Sequence, residues 1–181
     1  MKQPIQISHD FLSEVLDGES IAVDATMGNG NDTVFLASLA KEVYAFDIQE
    51  QALQNTQVKL DASGLDNVHL ILDGHEHVDE YVQKIHAAIF NLGYLPSADK
   101  SLVTKPNTTL EALNKILSNL EVGGRVSIMV YYGHKGGELE KNQVLTYVES
   151  LPLKKYTVMA YRSLNQVHTP PFLIMVEKVK A

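Results

Sequence analysis

Four short polar stretches, each at the end of an apolar run, hold the residues with which this chain can do chemistry. They are Asp24-Ala25-Thr26-Met27-Gly28-Asn29-Gly30, Asp47, Asp73-Gly74-His75-Glu76 and Asn91-Leu92-Gly93-Tyr94. Gly28 and Gly30 permit positive φ and let backbone N–H groups approach a ligand that a Cβ would exclude. Asp47 lies 23 positions beyond Asp24, and an acid at the end of a second strand can accept two hydrogen bonds from a ribose diol. The competing role is a cap for the helical stretch that follows, and the two can coexist. Asn91 has a plainer alternative as a turn-forming residue after a strand. Asp73, His75, Glu76 and His77 are dense enough to suggest a metal. Residues so close in sequence cannot all converge on one ion, and no metal is expected.

Such residues need strands that deliver them to one edge. The run that begins at Ile21 stops in the glycine loop, and a helix over 31–40 points its N-terminus at the same place. Strands follow at 42–47, 67–72 and 86–91, with helices over 49–60 and 75–83 between them. A long segment with Pro96, Lys100, Lys105 and Pro106 reads as a functional loop. The next helix, over 108–120, lines up Leu110, Leu113, Ile116, Leu117 and Leu120 and is expected to stop at Gly123-Gly124. A strand over 125–132, a helix over 138–150 and strands over 155–161 and 172–178 complete the chain. The last two leave no room for a crossover helix and must pair antiparallel. An amphipathic helix over 5–17, with Ser8 or Asp10 as its N-cap, precedes the first strand. The alternation specifies an α/β protein: a Rossmann-like, seven-stranded, mostly parallel sheet with helices on both faces and an antiparallel C-terminal hairpin.

The length of 181 residues suits a single domain, and 45% hydrophobic with 20% charged residues is an ordinary globular composition. There is no Cys, hence no disulfide or thiolate metal site. The N-terminus lacks the apolar core of a signal peptide and no run is long enough to span a membrane, so a cytoplasmic protein is expected. A net charge of −7 disfavours non-specific binding to nucleic acid and leaves only local basic pairs, Lys100 with Lys105, His134 with Lys135, Lys154 with Lys155, and Arg162. The Leu-rich helices and the edge hairpin make a homodimer plausible.

A nicotinamide-binding loop would read G-x-G-x-x-G, whereas Gly28 and Gly30 are followed by Thr33. An NAD-dependent oxidoreductase is therefore the weaker alternative, and a non-catalytic RNA-binding scaffold a third. The glycine loop, Asp47, Asp73 and the Asn91-to-Pro96 segment together resemble the class I S-adenosyl-L-methionine-dependent methyltransferases over nearly the whole chain. More narrowly, the chain resembles the small YtqB-like bacterial family first labelled rRNA methylases, associated with methylation of wobble 5-aminomethyl-2-thiouridine in tRNA. The stretches 24–33, 73–76 and 91–96, together with Tyr132-Gly133-His134 and Pro170-Pro171-Phe172, carry that match, and Asn31 stands where the family pattern has His.

The resemblance implies S-adenosyl-L-methionine as cofactor and RNA, most narrowly the tRNA anticodon loop, as partner, with rRNA or a small substrate as alternatives. It implies that Asp24, Thr26, Met27, Gly28, Asn29 and Gly30 hold the methionine part, with Asn31, Asp32 and Thr33 at the helix start. Asp47 and Gln49 would serve the ribose, Asp73, Gly74 and His75 the adenine, and Leu92 would complete the site. The Asn91 carbonyl would accept from the target amine while Tyr94 packs on the base. His9, Tyr132, His134, Lys135, Arg162 and Asn165 would contact the RNA. A dry pocket that destabilises an ammonium would make a general base unnecessary.

Overall fold

Strand-forming runs with both faces apolar can only be buried between helices, and that is where the chain places them. The computed structural model describes residues 1–93 and 106–181. Helix α1 (Pro4–Ser13) leads into β1 (Ile21–Asp24), α2 (Asn31–Ala37), β2 (Glu42–Asp47), α3 (Glu50–Ser63) and β3 (Val68–Leu72). A short 3₁₀ helix (His75–Glu80) connects to β4 (Ile85–Leu92). Then come α4 (Pro106–Asn119), β5 (Leu120–Val130), α5 (Gly137–Glu149), β6 (Tyr156–Tyr161) and β7 (Phe172–Lys178).

The sheet order is β3-β2-β1-β4-β5-β7-β6. Strands β1 to β5 pair in parallel, and β7 pairs antiparallel with both β5 and β6. On one face Leu12 and Leu16 join Leu36, Ala37, Ala40 and Leu60 from α2 and α3 against Ala22, Val43, Ala87 and Ile89. On the other, Val78, Val82, Ala112, Leu113, Ile116, Leu117, Val144 and Val148 cover Val23, Phe46, Ala88, Phe90, Val126 and Ile128. The expected α/β layering is thus present, with the helices divided between the faces.

Three local expectations are corrected. The first helix is capped by Gln3, with Pro4 in its first turn where a missing N–H costs nothing, and Gln6 closes the capping box. Ser8 is consequently mid-helix and fully buried, bonded to Ser127 of β5. The connection after β3 is one short 3₁₀ segment, not a helix over 75–83. Gly123-Gly124 does not terminate α4, which ends at Asn119. The register against β4 jumps from Ile85↔Leu120 to Ala87↔Arg125, so the extra β5 residues form a bulge, and Gly123 takes φ +84° there.

Helix α1 lies outside the β-α repeats and is tied down, besides the Ser8–Ser127 bond and the buried Leu12, by Arg125. Arg125 Nη1 donates to the Phe11 carbonyl and to Glu14 at 2.7 Å each, its Nε meets Glu177 at 3.3 Å, and its guanidinium lies over the Phe11 ring at 4.6 Å. This clamp across α1, β5 and β7 fixes the height of His9 above the sheet edge. No helix among the described residues is long and apolar enough to cross a membrane.

Candidate functional site

Strand order reverses between β1 and β4, because β1 leads outward to β2 and β3 while β4 leads the other way. Such a switch point opens a crevice at the strands' carboxyl ends. Thr26 and Asn91 meet in it: the Asn91 N–H donates to Thr26 Oγ1 at 2.6 Å.

The loop after β1 is held from below and from the side. Asp24 is fully buried, its Oδ1 accepting from the Thr26 N–H at 3.1 Å and its Oδ2 from the Thr33 hydroxyl at 2.6 Å. Asp24 therefore braces the loop against the start of α2. Asp47 accepts from the Gly28 N–H through Oδ2 and from the Gln49 N–H through Oδ1, both at 3.0 Å. It does not cap α3, whose N-cap is Gln49 with no side-chain cap bond, but holds the turn that leads into that helix, and because each carboxylate oxygen has two lone pairs the half-buried group retains acceptor capacity toward a ligand. Gly28 takes φ +53° and Gly30 φ +78°. A Cβ on Gly30 would lie 2.6 Å from Thr56 Oγ1 and 2.9 Å from Thr56 Cα, so this glycine exists for the approach of α3.

Burial, and next the nearby Asp32 carboxylate, push the Asp24 pKa up from 3.8 to about 7. The native state then holds this proton more tightly than the unfolded chain does. The resulting stabilisation is full below the unfolded pKa of about 4 and is lost as pH rises through about 7. Asp24→Asn, which can accept from Thr26 N–H and donate to Thr33 Oγ1, is expected to flatten the fall in thermal stability across that window. Melts in a pH series check this. A wild-type Tm that rises with pH across the window, or an unchanged slope in Asp24→Asn, refutes it.

At the third strand end Asp73 Oδ1 accepts from the Gly74 N–H and from His77 Nδ1, both at 2.8 Å, and Oδ2 from the Tyr81 hydroxyl at 3.0 Å. The His77 bond above all, opposed by burial and helped by the Gly74 N–H and Tyr81 hydroxyl bonds, holds its carboxyl below the usual range, so it is an ionised acceptor. His75 is turned inward instead: Nδ1 meets the Ala25 carbonyl at 2.8 Å and the ring sits edge-on to Phe90. Burial lowers its pKa, so a neutral ring pins β3 to the loop after β1.

Asp32, in the first turn of α2, links two further expected residues. Its Oδ2 accepts from Asn91 Nδ2 and its Oδ1 meets His9 Nε2, each at 2.6 Å. The imidazole of His9 stacks on Phe35 at 3.8 Å with planes 3° apart.

The remaining expected residues separate into groups. Asn29 and Asn31 face α3, accepting from Asn55 Nδ2 at 3.1 Å and from Lys59 Nζ, and border a 330 Å³ groove with Val58. Met27 is buried beneath the loop, its N–H on the Phe46 carbonyl at 2.9 Å, and Leu92 is wholly buried. Tyr132 turns to Phe172, with the Lys141 ammonium 4.6 Å above its ring. His134 lies near Gly93 at the end of β4, and Lys135, Arg162 and Asn165 are exposed. Tyr94, with Lys100 and Lys105, lies outside the described residues.

Two residues went unnoticed in the sequence. The Tyr131 phenol is pushed up by burial and then by the Asp32 charge, so Tyr131 feels the Asp32 carboxylate while Tyr132 turns to Phe172. Ile48 is 60% exposed directly after Asp47, an apolar surface at a polar edge. An apolar residue following a strand-ending acid was the available signal.

Residues 43–177 match the family described as "Putative rRNA methylase". The crystal structure of a "putative methyltransferase" from Streptococcus mutans in complex with SAH is 61% identical, with 98% of this chain and 99% of that one covered at a TM-score of 0.94. The "putative rRNA-methylase" of Clostridium thermocellum is 43% identical over 98% of both chains, TM-score 0.96. The chloroplastic tRNA (mnm(5)s(2)U34)-methyltransferase of Arabidopsis thaliana is 31% identical over 98% of this chain and 70% of its own length. A switch-point crevice ringed by Asp47, Asp73 and Asn91 agrees with these likenesses: the chain belongs to the rRNA methylase family and is a class I S-adenosylmethionine-dependent methyltransferase.

Proposed function

We propose that the chain transfers the methyl group of S-adenosyl-L-methionine to the primary amine of 5-aminomethyl-2-thiouridine at the wobble position of tRNA. The observation that carries this reading is the orientation of Asn91 at the switch point. Its Nδ2 is committed to Asp32, so Oδ1 is left as an acceptor for an amine N–H, aiming the amine's lone pair. That geometry suits a nitrogen nucleophile, which keeps a lone pair after donating a hydrogen bond.

The site fits the cofactor. Asp32, Asp47 and Asp73 stand on the β1–β3 side, suiting a ligand with a sulfonium and an ammonium, and the loop at Gly28 presents backbone without a side chain. The cofactor supplies an electrophilic methyl on an already activated leaving group. Asp47 accepts the ribose hydroxyls, Ile48 offers its exposed face to the adenine, and Asp73 accepts the adenine amino group. Thr26, held by the Asn91 N–H, sets the spacing between the cofactor loop and the acceptor residue. Positioning is the main work left to the protein.

RNA approaches from the opposite half of the edge. The loops that reach this edge, residues 131–137 after β5 and 162–171 between β6 and β7, hold no Asp or Glu and carry His134, Lys135, Arg162 and His168. Because β7 starts opposite Val130, the β6–β7 loop with Arg162 and Asn165 returns to the same edge as the crevice. Glu138 and Glu140 open α5 beside these loops, but Glu138 pairs with Lys141 and Glu140 is buried against Thr109, so the loops give a protein of net charge −7 a local surface for phosphates.

The test is incubation of the protein with labelled S-adenosylmethionine and bulk tRNA carrying unmethylated aminomethyl groups, followed by nucleoside mass spectrometry. Label in 5-methylaminomethyl-2-thiouridine is expected. Label in rRNA alone would replace the tRNA reading and leave the methyltransferase standing.

A further inference from the structure

We propose that Asp32 and His9 are positioning residues for the methyl acceptor and act through Asn91, a proposal that rests on the role given to Asn91 above. A side-chain amide has two ends of nearly equal size and opposite hydrogen-bonding character. With Oδ1 toward the amine, Asn91 takes an N–H and leaves the nitrogen lone pair free. With Nδ2 toward it, the amide would donate into the lone pair that must attack, and quench it. Nothing in the shape of Asn91 selects between these states.

Asp32 selects. An ionised carboxylate only accepts, so at 2.6 Å it binds the Nδ2 end and would repel the Oδ1 end. The carboxylate is itself fixed from the other side by His9 Nε2 at 2.6 Å, and the imidazole is held flat on Phe35. The side chain of Asp32 is 12% exposed and that of His9 31%, so water competes weakly at the Asn91 side and more at the outer end. The first turn of α2 also favours a negative charge at Asp32. The chain of contacts runs from α1 through α2 to the end of β4, three elements brought together only by the fold.

A double-mutant cycle decides the matter, using single-turnover methyl transfer to the same aminomethyl tRNA with saturating cofactor. Asn91→Ala is expected to slow transfer on the order of 10²-fold, the usual consequence of a misplaced reactant. Asp32→Leu is expected to slow it at least tenfold, and His9→Phe, which keeps the stack on Phe35, by a smaller factor. Cofactor affinity by calorimetry should stay within about twofold of wild type in His9→Phe, whereas removal of the Asp32 charge is expected to weaken it in Asp32→Leu, and saturating cofactor keeps that loss out of the transfer rate. On the Asn91→Ala background Asp32→Leu should cost nothing more, because the group it orients is gone. Should Asp32→Leu fail to fold, Asp32→Asn serves, since it tolerates either end of Asn91 and predicts an intermediate loss that also vanishes in Asn91→Ala. An Asp32 effect at saturating cofactor that multiplies with that of Asn91→Ala, or a His9→Phe effect that tracks weakened cofactor binding, overturns the proposal. A fully active Asp32→Leu beside an impaired Asn91→Ala overturns it while sparing the Asn91 role; a fully active Asn91→Ala removes both.

Discussion

Asp47→Ala is expected to weaken S-adenosylmethionine binding on the order of 10³-fold while leaving the fold nearly as stable as before. On the proposed reading the loss follows from two charge-assisted bonds that Asp47 would make to the ribose diol, at about 1.5–3 kcal/mol each. The loop also suffers, because the Gly28 N–H loses the acceptor that holds it at 3.0 Å. Stability changes little because two opposing terms meet. Two backbone donors lose a partner, at roughly 1 kcal/mol each, but a carboxylate whose pKa is raised first of all by burial no longer has to be desolvated. Calorimetric titration with the cofactor, beside a thermal melt, separates these quantities. Cofactor affinity within tenfold of wild type would show that Asp47 holds the Gly28 loop and the turn before α3 and does no more.

Gly30→Ala should damage both properties at once. Its φ of +78° lies where a Cβ costs about 1–2 kcal/mol. The added carbon would sit 2.6–2.9 Å from Thr56 Oγ1, Cγ2 and Cα, and overpacking of this kind costs a further 1–3 kcal/mol or so. Since one of the three atoms is backbone, cutting Thr56 back to Ala cannot fully relieve the contact, and α3 must move away from α2. A fall in Tm with weakened cofactor binding is expected in Gly30→Ala, only partly repaired in the Gly30→Ala/Thr56→Ala pair. Complete recovery in the pair would mean that the glycine answers to the Thr56 side chain alone.

What could be seen in the sequence depended on the range of the interaction. Strands such as β4, with Ala87, Ala88, Ile89 and Phe90 all fully buried, announce themselves as continuous apolar runs because both faces are covered. Asp47, Asp73 and Asn91 were legible as polar residues ending those runs. Gly123-Gly124 misled because a Gly pair after a helical pattern signals a C-cap, whereas the bulge that it forms depends on pairing with β4, far back in the chain. The Asp32 connections were illegible for the same reason: its partners stand 23 and 59 positions away, and no local pattern marks a carboxylate that will be shared. Tyr131 and Tyr132 are adjacent aromatics after β5, and which one faces Asp32 was fixed by how the chain leaves the sheet at the Tyr131 N–H bond to Leu92.

The division of the carboxyl edge into a half with strand-end carboxylates and a half whose loops carry His134, Lys135, Arg162 and His168 bears on the order in which two ligands arrive. Without its cofactor the crevice presents Asp32, Asp47 and Asp73 to any approaching polyanion, and repels it. A bound cofactor brings net positive charge into the midst of those carboxylates and lowers that barrier from within. On the proposed reading RNA therefore meets a more receptive surface once the methyl donor is seated, and by thermodynamic reciprocity it holds the donor more tightly by the same factor. Spent cofactor, having lost the sulfonium charge with the methyl group, weakens the grip on both, so the transfer itself prepares release.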